Sequence, residues 1–328
     1  MGHNHAQKNA ARQHQDYTGR SSYQAALNDL RTEQALWDRP ITVDCHVAPG
    51  VEHVLGHDGV QAQFDKAVRS HVSGNRLRCA VCDLPIDLGA TGPVDLGATA
   101  LVGLGVVLRA ASARQRSRRP RAVWTHGVCA SSQVWAPSRL AEVRHQHGTP
   151  VDPAHLPQER IWSQKELDRL REVTAAAQAT GRPPEPLFPT RCLYSITAHR
   201  PVCVVSSGEP DRYGELGFHA RMLNSGLTAA ASVRRLRELP PVWVLRYDAG
   251  GRPFFHGERT GLPYPDLSVP PSRWSAAAAA NEEVLVLCVP YETLADDASV
   301  GEQGVWRAVD QAASKGMLFG ALARIHAS

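Results

Sequence analysis

Two short residue pairs, each made of residue types that bind metals, constrain the fold of this chain more than any other feature of its sequence. The first pair is Cys79 and Cys82, the second is His126 and Cys129, and two residues separate the members of each pair. A Cys-x-x-Cys turn brings two sulfur atoms to one point, and the second pair adds a nitrogen and a third sulfur. Four such ligands complete the tetrahedral coordination of structural zinc and leave no open position. The sequence therefore predicts a structural Zn2+ bound by Cys79, Cys82, His126 and Cys129.

The residues around these pairs indicate how such a site is built. Arg78 and Leu84-Pro85 frame the first pair as in a zinc knuckle. A predicted strand over 123–125 leads to the second pair, and a predicted helix over 138–147 follows it. This order resembles treble-clef and related CxxC…HxxC zinc fingers. The resemblance implies a small zinc-binding module over residues 76–150.

The segment between the two pairs is 43 residues long and contains a direct repeat, Asp-Leu-Gly-Ala-Thr, at 87–91 and 95–99. We expect this insert to be a variable hairpin that projects from the module and contributes nothing to a shared core. Two alternatives to a zinc site stay open for the thiols. One is a redox-active Cys-x-x-Cys, although the strand-then-helix setting of thioredoxin-like folds is missing. The second is a chance occurrence of two pairs in a chain with seven cysteines.

A run of arginines lies inside the insert. The chain has four lysines and 32 arginines, which is typical of GC-rich bacterial coding and reduces the weight of any arginine-rich segment. The charge is nevertheless uneven, because residues 1–150 carry a net +5 and residues 151–328 a net −1. On a projecting hairpin these arginines would neutralise phosphates, and a tryptophan would stack on a base. The nucleic-acid candidates are Arg114, Arg116, Arg118, Arg119, Arg121 and Trp124. A solvated loop or a contact with a protein partner are the alternatives.

A second group of ligand types precedes the module. It comprises Cys45-His46 with His53 and His57, and two histidines four residues apart share one face of a helix. Pro49-Gly50 interrupts that geometry, so we expect exposed histidines in a surface loop. The alternative is that His53 and His57 supplement the metal site or compete with it.

The fold class expected from these patterns is α+β, because helical and strand patterns mix without regular alternation. We expect a helical N-terminal half that includes the zinc module, followed by a mixed α/β domain. The predicted divisions are a helical region over 1–75, the module over 76–150 with its basic insert, a connecting helix within 151–181, a Pro-rich linker at 182–189 and the domain over 190–328. The connecting helix has a capping box, Ser163 with Glu166, and ends at Gly181.

The first helices, predicted over 7–16 and 21–36, carry a spacing of residues from Lys8 to Arg31 that resembles an N-terminal motif of uncharacterised actinobacterial proteins. The resemblance brings no established chemistry with it. It is compatible with an association with mobile elements.

In the C-terminal domain we predict strands at 192–198, 202–206, 242–247, 253–256 and 284–290, and helices at 213–225, 228–238 and 302–325. Residues 248–251 are expected to form a hairpin turn. An enzyme of hydrolase or nuclease type is the alternative function of this domain. Its first candidates are Cys203 or Ser206 with His219, in a cleft that would hold His199, His219 or His256.

No segment of the sequence predicts export or membrane insertion. The longest apolar run, 96–108, has 13 residues, whereas a spanning helix needs about 20. The N-terminus lacks the apolar region of a secretory signal, and seven irregularly spaced cysteines suit reduced thiols. We therefore expect a cytoplasmic, zinc-stabilised bacterial protein that binds nucleic acid or a protein partner and has no membrane partner.

Overall fold

The structure is a computed structural model. It describes residues 45–72, 77–86, 102–109, 120–158, 161–184, 187–188, 190–197, 200–206, 210–233, 241–247, 253–257, 267–295 and 302–325. The two helices predicted over 7–36, with the motif that they carry, lie outside these residues, as do the repeat at 87–99 and the turn at 248–251.

Helices and strands alternate irregularly along the described residues, in agreement with the expected α+β class. The strands are β1 (Cys45–Val47), β2 (Val102–Val107), β3 (Arg121–His126), β4 (Val134–Trp135), β5 (Arg191–Thr197), β6 (Arg200–Ser206), β7 (Thr228–Ala229), β8 (Pro241–Tyr247), β9 (Pro253–Gly257), β10 (Glu283–Val289) and β11 (Phe319–Ile325). The helices are α1 (Pro49–Leu55), α2 (His57–Val72), α3 (Pro137–Gln146), α4 (Gln164–Thr180), α5 (Gly214–Asn224), α6 (Ser272–Asn281), α7 (Tyr291–Ala295) and α8 (Glu302–Ser314). A 3-10 turn covers Pro153–His155. None of the described helices has the length and apolarity that crossing a membrane requires.

The first sheet is organised around β2. This strand pairs in parallel with β1 and β4 and antiparallel with β3, and all six of its residues are buried. Its two glycines admit close neighbours, because a Cβ at Gly103 would lie 2.9 Å from Thr125 Oγ1 and one at Gly105 would lie 2.9 Å from Trp135 Nε1. The prediction that the insert is a variable hairpin outside the core is therefore wrong for Val102–Val107. An uninterrupted apolar run of this kind is typical of a strand covered on both faces.

The second sheet is mixed and, over the described residues, has seven strands in the order β5-β6-β10-β11-β8-β9, with β7 paired to β11. The pairs β6–β10 and β8–β11 are parallel, and the other pairs are antiparallel. Six of the seven residues of β10 are buried, which makes this strand the centre of the core. The strands predicted in this half are confirmed, and β8 and β9 form the predicted hairpin because Tyr247 pairs with Pro253.

Two of the helices predicted in this half are wrong in part. The helix predicted over 302–325 ends at Ser314, where Gly316 has a φ of 70°, and the chain continues as the central strand Phe319–Ile325. The helix predicted from residue 228 begins instead as the strand Thr228–Ala229. A short apolar run that contains alanine can form a helix or a strand. Here the residues pair with neighbouring strands of the second sheet and are therefore strands. The capping box and the glycine stop of α4 are confirmed, with Gly181 left-handed at a φ of 65°.

Helix α5 contacts both sheets, and on the side of the second sheet its Phe218 packs edge-on against Phe319 of β11 at a ring-centroid distance of 5.6 Å. Asn224 near its end accepts a hydrogen bond from the backbone N–H of Val134 at 2.8 Å and donates to the carbonyl of the same residue at 3.0 Å. On the other side α1 packs against the same helix, where a Cβ on Gly50 would lie 2.6 Å from the carbonyl oxygen of Leu223. The first sheet therefore contacts the side chain of Asn224 on α5, and α1 packs against the backbone of the same helix.

We expect Gly50→Ala to lower the free energy of unfolding by about 1–3 kcal/mol, because the added methyl group meets backbone that cannot rotate away. Chemical denaturation measures the loss. Gly59→Ala is the matched control, since its Cβ would meet only the side chain of Leu55. An unchanged unfolding midpoint for Gly50→Ala would contradict this account of the packing.

Candidate metal centre

The four predicted ligands converge on one point. The ligand atoms of Cys79, Cys82, His126 and Cys129 all lie within 4.8 Å of one another. Nδ1 of His126 is 3.4 Å from Sγ of Cys82 and 3.8 Å from Sγ of Cys129. In tetrahedral zinc sites, bond lengths of about 2.3 Å to sulfur and 2.0 Å to nitrogen place these atoms about 3.6 Å apart. The cluster can therefore hold a metal ion such as zinc.

The first two ligands are presented by a tight turn. The backbone N–H of Asp83 donates to the carbonyl of Cys79 at 2.9 Å, and Asp83 itself is left-handed with a φ of 61°. Aspartate is among the few non-glycine residues that tolerate this conformation. Arg78 closes the turn by donating to the Asp83 carbonyl at 2.7 Å and to its carboxylate at 3.0 Å. The turn directs both thiols to the same side, as a zinc knuckle does.

The second pair of ligands lies at the end of β3. His126 is the last residue of the strand, and its carbonyl accepts the N–H of Cys129 at 2.9 Å, which turns the chain back toward the first pair. The buried hydroxyl of Thr125 donates to the carbonyl of Ala130 at 2.9 Å. The strand and this hydroxyl together fix the separation of His126 and Cys129.

A hydrogen bond orients the ring of His126. Its Nε2 lies 3.1 Å from the carbonyl oxygen of Pro85. Because a carbonyl oxygen can only accept, Nε2 carries the proton and the lone pair of Nδ1 faces the three thiols. Ligand histidines in metal sites are commonly held by such a carbonyl. The contact therefore prepares His126 to bind metal through Nδ1.

Two residues outside the predicted ligand set hold the first turn in place. Arg144 at the end of α3 donates to the carbonyl of Ala80 at 2.8 Å, and the buried hydroxyl of Thr149 donates to the carbonyl of Val81 at 2.8 Å. Val81 is itself fully buried. Sequence reasoning identified the helix but missed these contacts, because both residues are reached only through the tertiary fold.

The three thiols are electrostatically costly to ionise together. Burial, a hydrogen bond with Cys82 and the negative charges of Cys79 and Cys82 raise the pKa of Cys129 to about 12. Burial also acts to raise the pKa of Cys79, but the backbone N–H groups of Cys82 and His126 lower it below its ordinary value. A divalent cation offsets the repulsion between clustered thiolates. The clustered thiols therefore favour a bound cation, in agreement with the distances between the four ligand atoms.

The structure places the nucleic-acid candidates in different environments. Arg121 begins β3 and is exposed. Trp124 is 8% exposed, and its ring contacts the ring of Phe64 edge-on at a centroid distance of 5.5 Å, so most of the side chain takes part in core packing. It also lines a surface groove together with Arg121. The remaining candidates, Arg114, Arg116, Arg118 and Arg119, lie outside the described residues.

A groove of about 970 Å³ runs beside the metal cluster between the first turn, the end of the β2–β3 hairpin and α3. We call it the arginine groove, after Arg78, Arg109, Arg121 and Arg144, which line it together with Cys79. Two aspartates also line it, Asp83 and Asp152. The side chain of Asp83 is paired with Arg78, and that of Asp152 caps the 3-10 turn. No sequence pattern pointed to Arg78 or Arg144 as groove residues, because they join the groove only through the fold.

The second group of metal-binding residue types is spread over one strand and two helices. Cys45 and His46 lie in β1, His53 lies in α1, and His57 begins α2. The three histidines are exposed, and Gly56, with a φ of 72°, separates the two helices. Within the described part of the chain these residues join no cluster of metal ligands. The expected exposure of the histidines agrees with the structure, although His46 lies on a strand and His53 and His57 lie on helices, and none of them lies in a loop.

The candidate nucleophiles of the second half are inaccessible. Cys203 and Ser206 are fully buried in β6, and Sγ of Cys203 lies 3.0 Å from Sγ of Cys192. Nδ1 of His219 is 2.8 Å from the carbonyl oxygen of Glu215, and its ring packs on Phe319. His199 lies outside the described residues, and neither His219 nor His256 lines a described cavity. A hydrolase or nuclease activity of this half stays a prediction.

Comparisons with known protein families, with curated proteins and with solved structures find no match for this chain. The resemblance to treble-clef zinc fingers stays a prediction from the sequence, and the structure shows the cluster of Cys79, Cys82, His126 and Cys129.

Proposed function

We propose that this protein binds nucleic acid in the arginine groove and that a structural Zn2+ holds the groove in shape. The observation that carries the proposal is the position of four arginines beside Cys79, on the wall of a single groove. Arginine is well suited to phosphate because its guanidinium donates two parallel hydrogen bonds.

The zinc would be structural and not catalytic. All four positions of a tetrahedral ion would be taken by Cys79, Cys82, His126 and Cys129, so a substrate would find no free position. The metal would join the first turn to the end of β3. Both of these elements contribute to the wall of the arginine groove, which makes groove shape depend on the metal.

Two of the arginines are placed for phosphate contact. Arg109 and Arg121 are exposed, and neither forms an ion pair with another described residue. Arg109 lies shortly after the end of β2, and Arg121 is the first residue of β3. These two strand ends are adjacent, because Val107 pairs with Arg121. The chain between them, 110–119, contributes four more arginines to the sequence. Apolar side chains such as Leu108 and Leu140 also line the groove and offer surface to bases or sugars.

The proposal is tested by fluorescence anisotropy with labelled single-stranded and double-stranded oligonucleotides across a range of salt concentrations. Removing two phosphate contacts by Arg109→Gln with Arg121→Gln should weaken binding and reduce the slope of log K against log salt. The expected reduction is about 1.4 for a single strand and about 1.8 for a duplex.

The matched control is the pair Arg273→Gln and Arg307→Gln. These arginines are exposed on α6 and α8, do not line the groove, and remove the same charge. Binding that does not depend on salt, or equal losses in the two double variants, would contradict the proposal. Zinc content measured on the same samples separates loss of groove contacts from loss of the metal.

A further inference from the structure

A separate cavity of about 580 Å³ lies in the second half of the chain, among α5, α7 and α8. The neighbouring strands β6 and β10 are parallel, and the residues that follow their carboxyl ends line this cavity. Pro290 directly follows β10, and Asp211 follows β6 after a short connection. Ligands in sheets with parallel strands commonly bind at this end. The volume falls in the range of pockets for small molecules, about 300–1,000 Å³. This C-terminal cavity is distinct from the arginine groove.

The C-terminal cavity contains charges of both signs. Its basic side chains are Arg221 and Lys315, and its acidic side chains are Asp211, Glu215 and Glu292. Neutral polar and apolar side chains complete the lining, among them Tyr291, Thr293, Gln311 and Met317. A ligand with a single charge would meet repulsion from one set of these side chains.

Arg221 has unused hydrogen-bonding capacity. Its Nε and Nη2 atoms are buried and have no hydrogen-bond partner among the described residues. These two nitrogens form one edge of the guanidinium, the edge that binds a carboxylate through two parallel hydrogen bonds. The nearest carboxylate oxygen, Oδ2 of Asp211, is 3.6 Å from Nη2, which is beyond hydrogen-bond length. A buried donor without an acceptor is unfavourable, so this edge favours an incoming anionic group.

Asp211 is held away from that edge by its own contacts. Its Oδ1 accepts the backbone N–H of Tyr213 at 2.9 Å, at the beginning of α5. The carboxylate lies against Gly217, where a Cβ would be only 2.3 Å from Oδ1. Asp211 is therefore engaged by the start of the helix, and its charge orients Arg221 without satisfying it.

We infer that the C-terminal cavity binds a small zwitterion that carries one carboxylate and one ammonium group, as a free amino acid does. Arg221 with Lys315 would receive the carboxylate, and Glu215 with Glu292 would receive the ammonium group. A phosphate dianion is disfavoured, because three carboxylates line the same space. This inference does not depend on nucleic-acid binding or on zinc.

The test uses the full chain and the twenty free L-amino acids as probes, at concentrations up to about 10 mM, with thermal shift followed by calorimetry. At least one amino acid should bind. Its amide, which lacks the carboxylate, and its N-acetyl form, which lacks the ammonium group, should each bind about tenfold or more weakly.

Substitutions assign the two ends of the ligand. Because Lys315 remains, Arg221→Gln should reduce the discrimination between the amino acid and its amide, while the variant still discriminates fully against the N-acetyl form. Glu292→Gln should reduce the discrimination between the free amine and the N-acetyl form. Arg307→Gln is the control for lost charge outside the cavity and should behave as the unaltered chain.

Three results would overturn the inference. One is the absence of binding by any of the twenty amino acids, and another is tighter binding of inorganic phosphate than of every amino acid. The third is an Arg221→Gln variant that is folded and discriminates between the acid and the amide as strongly as the unaltered chain does. Oligonucleotide binding by the same preparation reports separately on the arginine groove.

Discussion

Purified protein is expected to contain about one equivalent of zinc, and Cys129→Ser is expected to contain less than half of that. Structural zinc in small modules contributes on the order of 10–16 kcal/mol to folding at neutral pH, which is comparable with the whole stability of a typical domain. Removal of one thiol or of the metal should therefore unfold the region around the site. Elemental analysis gives the zinc content, and limited proteolysis gives the new cleavage sites, which are expected within residues 77–150.

The matched control for this experiment is Cys45→Ser. Cys45 is also a half-buried cysteine of the first sheet that forms no disulfide, but it lies outside the cluster of Cys79, Cys82, His126 and Cys129. It should keep the full zinc content, which would also exclude zinc binding by the Cys45-His46 group. Full protease resistance after a chelator has removed the metal would contradict a structural role. Zinc below about half an equivalent, unaltered by Cys79→Ser, would contradict the site itself.

The sequence is sufficient to predict which side chains form the cluster that could hold a metal, because much of their arrangement is local. Cys79 and Cys82 meet through one turn, and His126 and Cys129 meet through another, so spacing alone brings each pair together. The capping box of α4 is predictable for the same reason, since Ser163 and Glu166 contact each other within one helical turn. What spacing cannot supply is the meeting of the two pairs, which requires the first turn to contact β3, as it does where the N–H of Ala80 donates to the carbonyl of Trp124 at 2.7 Å.

The errors fall where long-range pairing decides the structure. Val102–Val107 follows a repeat and precedes the arginine run, and although its apolar run suits a covered strand, only its pairing with β1, β3 and β4 makes it the central strand of a sheet. Phe319–Ile325 continues an alanine-rich helical pattern, yet its neighbours β10 and β8 make it a strand. Arg144 and Thr149 reach the knuckle across more than sixty positions of sequence. Such contacts have no periodicity that a single sequence could reveal.

The contact of Asn224 with β4 is expected to be among the largest single contributions to the junction between the two sheets. The side chain satisfies both the N–H and the carbonyl of Val134 at a partly buried position. Asn224→Ala leaves both groups without this partner, and each buried unsatisfied group costs about 1–3 kcal/mol. We expect a loss of about 2–4 kcal/mol in the free energy of unfolding, measured by urea denaturation.

Asn281→Ala is the matched control, because the Asn281 side chain donates to a carbonyl of its own helix at an exposed position. It should change stability by less than about 0.5 kcal/mol. A small effect at both positions would mean that water replaces Asn224 at the junction without cost. A large effect at Asn224 alone, with the zinc content unchanged, would mean that the first sheet needs α5 as well as the metal. In that case the two halves of the chain fold as coupled units, and a chelator would also lower the stability of the second sheet.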